Sequence, residues 1–330
     1  MLRLIQIGLG SFGFSWANIV KESQQWEPVA YVDMDKEKLM KASGTYGVPK
    51  NRCYSDMDAA LSEVEADAAL VVVPPEAHMG VAIKAFVAGL NVLCEKPLAS
   101  NMEDAKTIVH EAKKRNLKLM VSQNYRYNRG PRTVRRILEN GKVGEPSYAI
   151  INFYNAPHFG GFREKMAHPL LVEMSIHHFD LMRFIFDTNP KNIYAKTWRP
   201  RWSWFDGDPC TSVLVEMDSG VIITYLGSWV TLGDQTTRNG DWRIECSAGS
   251  IHWDTTIRLK QKGAKEIFEE SPLLMPLEDR AYSLHAFSEA ITNNKEPETT
   301  GEDNLKSLAM VFAALDSTNT GRSISVRDYL

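Results

Sequence analysis

The sequence predicts an α/β protein that opens with a doubly wound parallel sheet. Three observations carry this. Short apolar runs alternate with helical patterns over the first third of the 330 residues. A glycine turn, GLGSFG, joins the first run to the first helical pattern. One run, 68–73, consists wholly of small and β-branched or aliphatic residues, as a strand covered on both faces should.

The elements follow in order. Residues 2–7 read as a buried strand, 15–23 as a helix, and 28–32 as a second strand ending at Asp33. After the strand at 68–73 comes a helix at 77–88, closed by Gly89 as a left-handed cap. A short strand covers 92–94. The next helix starts with Ser100 and Glu103, read as a capping box, and Ala105, Ile108, Val109 and Ala112 give it one apolar face. A strand at 117–122 closes the alternating unit, which implies a parallel sheet covered on both faces. Further on, 147–154, 212–217, 221–226 and 243–246 read as strands, with Asp218-Ser219-Gly220 as a hairpin connection. No repeat or low-complexity linker interrupts the chain. The boundary is expected near 123–128, giving domains 1–124 and 125–330.

Bulk properties narrow the classes. Hydrophobic residues make up 44% and charged residues 24%, enough for a sizeable core. The net charge of -3 argues against a nucleic-acid protein. A local basic cluster, Arg126, Arg129, Arg132, Arg135 and Arg136, reads as a solvated face or contacts to acids, with a cofactor phosphate as the other reading. The four cysteines are far apart in sequence and form no metal-ligand or redox pair. The opening LRLIQIGLG reads as a strand rather than a leader, and no apolar run is long enough to cross a bilayer. The expectation is a cytoplasmic protein with no membrane partner.

The glycine turn points to a dinucleotide. Gly8, Gly10 and Gly13 fit G-x-G-x-x-G between a strand and a helix. Asp33 lies 33 − 13 = 20 residues beyond Gly13, at the end of the second strand. Gly8 permits the tight turn, Gly10 lets a pyrophosphate approach the backbone, and Gly13 lets helix and strand pack closely. The helix N-terminus offers free amides and partial positive charge. Asp33 would accept from both ribose hydroxyls and repel a 2′-phosphate, which favours NAD over NADP. Lys36 and Lys38 moderate that repulsion.

At the carboxyl end of the strand at 92–94 stands CEKPLAS. Ligands sit at that edge of an open α/β sheet, and Pro97 restricts the backbone of Lys96. With GLGSFG, VVPPEAH, AGLNVLCEKPLAS, NYRYNRGP, the HHFD segment and the tail TGEDNLKSLAMVFAALDSTNTGRSISV in this order, the chain resembles the Gfo/Idh/MocA oxidoreductases over nearly its whole length. The resemblance implies a Rossmann domain and a second α/β domain with a large, mostly antiparallel open sheet. That sheet often forms the oligomer interface, so a homodimer or homotetramer is expected. The implied cofactor contacts are Gly8, Gly10, Ser11, Phe12, Gly13, Asp33, Pro74, Glu95 and Lys96.

The segment LLVEMSIHHFDLMRF, 171–185, places polar residues in an apolar run. On one continuous helix over 170–186, Glu173, His177 and Asp180 share a face, and His178 points about a quarter-turn away. Three readings stand: a metal site, a satisfied core and a proton-transfer site. A metal site lacks a further ligand cluster, and none is expected. Oxidising a secondary alcohol needs a base, and an imidazole of pKa near ~6.5 suits that. The resemblance implies that His177, Glu173 and Lys96 act at the reacting carbon and that Asp180 binds or orients substrate. It also shows two departures, since the family often has Asp at 173 and Gly at 175.

Trp198, Trp202, Trp204 and Phe205, followed by Asp206 and Asp208, suit a carbohydrate or polyol, although an interface would use the same tryptophans. His158, Phe159 and Arg163 lie in a glycine-containing loop and read as pocket or lid residues. His158, Arg163 and Trp204 join Asp180 as expected substrate contacts. The function expected is hydride transfer between a sugar or polyol and NAD. The alternatives are a glycosidase acting by transient oxidation and a non-catalytic dinucleotide-binding regulator.

Overall fold

The computed structural model describes all 330 residues, and they divide into two compact units. The first comprises Met1–Asn124 with Leu277–Leu305, the second Tyr125–Pro276 with Lys306–Leu330. The expected 125–330 domain is thus interrupted, because 277–305 returns to the first unit.

The first unit alternates strand and helix: β1 (Leu2–Ile7), α1 (Ser11–Glu22), β2 (Trp26–Val32), α2 (Lys36–Tyr46), β3 (Cys53–Tyr54), α3 (Met57–Glu63), β4 (Ala68–Val71), α4 (Pro75–Val87), β5 (Asn91–Cys94), α5 (Met102–Lys114) and β6 (Leu119–Val121). All six strands are parallel, in the order β3-β2-β1-β4-β5-β6. The order reverses between β1 and β4, which opens a crevice at their carboxyl ends. Ile7, Val32, Val71 and Cys94 stand in one register row there. α5 buries Ala105, Ile108, Val109 and Ala112, as its spacing predicts. Its cap differs from expectation: Asn101, not Ser100, accepts from the Asp104 amide at 2.8 Å.

The second unit begins with α6 (Arg129–Glu139), β7 (Pro146–Tyr154), α7 (Phe162–Lys165), α8 (Pro169–Glu173) and α9 (Ser175–Phe186). It continues through β8 (Pro190–Trp198), β9 (Cys210–Met217), β10 (Ile222–Ser228), β11 (Asp241–Cys246), β12 (Gly249–Trp253), β13 (Ile257–Gln261) and β14 (Phe268–Glu270). α10 (Asp279–Thr292) belongs to the first unit, where Trp26 stacks on Phe287 and donates to the Leu284 carbonyl. α11 (Gly301–Thr320) and β15 (Ile324–Ser325) end the chain.

The nine-stranded sheet runs β14-β13-β12-β11-β7-β10-β9-β8-β15, antiparallel except between β7 and β10. Its strands alternate buried and exposed residues, as a sheet covered on one face requires. Ala149, Ile151, Phe153, Val213, Val215, Ile223 and Tyr225 are buried on the covered face. On the other, Ile150, Thr224, Leu214 and Tyr194 form a row across four adjacent strands, and its three large hydrophobics are exposed.

The cap assignment gives a direct test. Asn101→Ala should cost about 1 kcal/mol of stability in urea titration, whereas Ser100→Ala should change it by under about 0.5 kcal/mol. Equal losses would restore Ser100 as the cap.

Candidate active site

In the first unit, the residues expected to bind cofactor all follow the register row at the carboxyl edge. Gly8 comes after Ile7, Asp33 after Val32, Pro74 shortly after Val71, and Glu95 and Lys96 after Cys94. Gly8 has φ +101°, and a Cβ there would sit 2.2 Å from the Val72 carbonyl oxygen. A Cβ on Gly13 would sit 2.3 Å from the Gly8 oxygen. At Gly10 a Cβ would meet nothing within 4 Å. Two glycines therefore serve packing, and the middle one faces open space. Gly10 brings no capping side chain to α1, so no side chain there competes for the helix's first amides.

Asp33 accepts from the Leu9 amide at 2.6 Å and from the Asp35 amide at 2.9 Å. A carboxylate has about four acceptor positions, so two remain for ribose hydroxyls. These features fit NAD: a cradle where a pyrophosphate can approach, a helix N-terminus and an acid with spare acceptors.

Three residues that the sequence reading passed over hold this edge in shape. Gln6, buried in β1, donates to the Gly8 carbonyl at 3.1 Å and the Gly13 carbonyl at 2.7 Å. His78 faces the Val73 carbonyl through Nε2 and the Pro97 and Leu98 carbonyls through Nδ1. It thereby links the loops after β4 and β5, and burial lowers its pKa. Trp16 donates to Glu95 at 2.7 Å, and the other Glu95 oxygen accepts from the Lys96 amide at 3.0 Å. Burial raises the Glu95 pKa against the lowering charge of Lys96. The Lys96–Pro97 bond is cis. Arg280 of α10 lies over the rings of Phe12 and Trp16 and donates to Ser15.

In the second unit, 170–186 is not one helix. α8 ends at Glu173 and α9 starts at Ser175, with Met174 at φ −112° and ψ −44° between them. The Leu170 carbonyl accepts both the Met174 amide at 3.0 Å and the Ser175 hydroxyl at 3.2 Å. The common face expected for Glu173, His177 and Asp180 is interrupted after Glu173.

His177 is 7% exposed, and the Tyr125 ring is stacked on it, centroids 4.2 Å apart and planes at 14°. His178 is wholly buried. Its Nε2 lies 3.0 Å from the Arg238 carbonyl and must donate, so Nδ1 accepts from the Tyr225 hydroxyl at 3.1 Å. Burial pushes His178 down to about 4 and raises the Tyr225 phenol. The two histidines are thus unlike, as their helical positions imply.

Asp180 departs from expectation. It is 1% exposed, with both oxygens 2.6 Å from Arg126 nitrogens and a third bond, at 2.7 Å, from the Ser307 hydroxyl. A substrate would have to displace an arginine to reach it. Its place is in a buried ion pair that sets α9, not in substrate contact. The neighbouring arginines also have local tasks: Arg135 pairs with Glu139 and Asp187, and Arg136 with Glu270.

Glu173 accepts from Arg163 at 3.1 Å, and Arg163 also lies over the rings of Phe159 and Phe162. His158 stacks on Trp204 at 4.1 Å between centroids, and the Trp204 indole donates to the Pro157 carbonyl. The 155–168 and 199–209 loops are zipped by the Asp206 amide on the Glu164 carbonyl and the Asp208 amide on the Ala167 carbonyl. Gly207 allows this, since a Cβ there would lie 2.3 Å from the carbonyl oxygens of Met166 and Ala167. Asp208 accepts from the Thr197 hydroxyl at 2.7 Å through one oxygen, which leaves acceptor positions on the carboxylate. No group of three or more His, Cys, Asp or Glu is placed to hold a metal ion. No helix is long and apolar enough to cross a membrane.

A six-stranded parallel sheet with this glycine turn and acid is a dinucleotide-binding unit, and beside it in the chain stands a unit with a buried histidine helix and an open sheet. Comparison with known proteins gives the same class. Residues 2–123 match the model for an oxidoreductase family with an NAD-binding Rossmann fold, and residues 132–252 match the GFO/IDH/MocA C-terminal domain. The chain belongs to the GFO/IDH/MocA oxidoreductase family, and its cofactor is NAD. It is 26% identical to D-apiose dehydrogenase of Paraburkholderia graminis, covering 97% of this chain and 88% of that protein. It is also 26% identical to myo-inositol 2-dehydrogenase of Thermotoga maritima over the whole of both. An oxidoreductase of Agrobacterium radiobacter, solved with NAD+, L-tartaric acid and magnesium, shares the fold with a TM-score of 0.91. It has 22% identity and covers 100% of this chain and 99% of that one.

His178 yields a pH prediction. Its folded pKa of about 4 lies below the 6.5 of a free imidazole, so the unfolded chain takes up this proton first as pH falls. This contribution to stability is complete above about pH 6.5 and is lost progressively down to about pH 4, for a total of roughly 3 kcal/mol. Urea titrations between pH 7 and 4 should show a shallower decline in a His178→Gln variant than in the parent. Parallel declines would show that the imidazole is charged in the folded protein.

Proposed function

We propose that this NAD-dependent oxidoreductase oxidises a secondary alcohol of a sugar or polyol. The observation that carries the reading is His177, an imidazole at the start of a buried helix whose neighbour His178 is fully taken up by the core. The names of the relatives, an apiose dehydrogenase and a myo-inositol dehydrogenase, support the substrate class.

Bound NAD supplies the acceptor for the hydride that leaves the carbinol carbon. Gly8, Gly10, Ser11, Phe12 and Gly13 would form the turn that receives its phosphates, Asp33 would hold its adenosine ribose, and Pro74, Glu95 and Lys96 would complete its site. Lys96 donates to the reacting oxygen and favours the charge that develops there. His177 takes the hydroxyl proton. Glu173, held by Arg163, supplies negative charge near the imidazole's helix and favours its protonated form. His158, Arg163 and Trp204 contact the sugar. Met1–Asn124 with Leu277–Leu305 form the NAD domain, and Tyr125–Pro276 with Lys306–Leu330 carry the substrate and assembly surfaces. The protein works in the cytoplasm.

Nicotinamide absorbance with NAD against a panel of aldoses, polyols and inositols tests the activity. At least one member should be turned over, and His177→Ala and Lys96→Ala should each lower kcat/KM by about 10²-fold or more. Asp33→Ser should shrink the preference for NAD over NADP by about tenfold. A His177→Ala enzyme within a few-fold of the parent would remove His177 from the chemistry.

The same proposal includes a homodimer or homotetramer assembled through the open sheet. The exposed Ile150, Leu214 and Tyr194 lie in one row across four strands and make an apolar surface on a folded face. Sedimentation should give a multiple of 37.2 kDa, and Leu214→Lys with Tyr194→Lys should lower it without unfolding the chain. A monomeric parent would overturn the proposal.

A further inference from the structure

The residue stacked on His177 is Tyr125, the first of the second unit. It lies in a short 3-10 turn, Asn124–Tyr127. The next residue, Arg126, grips Asp180 with two bonds of 2.6 Å. Asp180 is three residues beyond His177 on the same face of α9. Two consecutive residues therefore hold the first two turns of one helix, one through a charge and one through a ring.

From this geometry we infer that Tyr125 is a positioning residue for His177. The inference rests on the reading of His177 as the proton acceptor. A ring centroid at 4.2 Å with planes only 14° apart covers one face of the imidazole. Rotation of the imidazole about its Cβ–Cγ bond would drive its edge into the tyrosine, so the directions of its nitrogens are fixed. The aromatic face also favours the imidazolium over the neutral ring, as it favours any cation against it. Tyr125 thus aims the base and makes it a better one. The phenol hydroxyl is not needed for either task; the ring is.

Other charges around α9 stay constant between the variants that test this. They are Glu173 with Arg163 on α8 and α7, Asp180 with Arg126 and Arg183, His178 with Tyr225 of β10, Arg135 with Asp187, and Arg132 of α6, which packs on α9.

The experiment compares Tyr125→Phe and Tyr125→Leu in two measurements. The first needs no turnover: the titration of the His177 ring followed by NMR in selectively labelled protein. Tyr125→Leu should lower its pKa by about half a unit, and Tyr125→Phe should leave it within about 0.2 unit. The second is kcat and KM across pH for alcohol oxidation. Tyr125→Leu should lose about tenfold or more in kcat with KM changed less than about threefold, and its acid limb should move to lower pH. Tyr125→Phe should stay within about threefold.

Equal losses in both variants would assign the role to the hydroxyl and overturn the inference. Unchanged His177 titration in a folded Tyr125→Leu protein would overturn it as well. If the titration shifts as expected while His177→Ala retains full turnover, the stack is real and the proton-acceptor reading has failed instead.

Discussion

The second unit depends on a buried ion pair. Asp180 and Arg126 meet through two short hydrogen bonds, with Ser307 bonded to the same carboxylate and Arg183 3.7 Å from it. Taking a carboxylate and a guanidinium out of water costs several kcal/mol each unless their lone pairs and protons are matched. Here they are matched by residues 54 and 127 positions away. Such a pair adds little net stability over a well-packed apolar one, but it tolerates only one arrangement. Every residue of α9 is buried, so hydrophobicity alone would leave the helix free to rotate about its axis. The partners of Ser175, His178, Asp180 and Arg183 remove that freedom. The setting of His177 follows from them.

The first unit meets a related constraint by different means. Its carboxyl edge consists of loops, and loops at a sheet edge carry backbone groups that no ladder satisfies. Buried side chains take their place. Gln6 closes the glycine turn from beneath, His78 ties two successive loops, and Glu95 joins the α1 indole to the Lys96 amide. Asp33 has two tasks, since it holds Leu9 and Asp35 amides and still presents acceptors. An acid at the end of the second strand is therefore part of the turn as well as a source of open acceptors.

What could be read from the sequence was what is local. The glycine fingerprint spans six residues and is recognisable from its spacing, although Gly8 also packs against the distant Val72 carbonyl; the parallel strands and the face of α5 follow from spacing. The unlikeness of His177 and His178 follows from helical angle alone. Long-range choices were not legible. Asn101 and Ser100 are both good caps, and only the backbone around them selects one. The break at Met174 lies inside a continuous apolar run with no glycine or proline to mark it. Asp180 looks like a ligand-binding acid until Arg126 and Ser307 fold onto it. Gln6 and Gly207 carry no motif, and VVPPEAH gives no sign of what His78 holds, because the partners of all three are backbone oxygens, which have no signature in sequence.

This division bears on how substrate choice can vary within one scaffold. The parts fixed by long-range bonds, α9 with its ion pair and the loops tied by His78 and Gln6, cannot be altered singly without leaving a buried polar group unmatched. The 155–168 and 199–209 loops are different. They are joined to each other mostly through backbone, by Asp206 on Glu164 and Asp208 on Ala167, so the side chains they display are free to change. Phe159, Phe162 and Trp202 are exposed there, and the His158–Trp204 stack stands beside them. Backbone-joined loops on a rigid support are where binding residues can be exchanged at low structural cost. Arg163 links the two regimes, because it reaches from this loop to Glu173 at the end of α8. A change of loop that moves Arg163 therefore alters the charge balance beside the histidine helix, and under the proposed function this one ion pair would couple substrate choice to proton affinity.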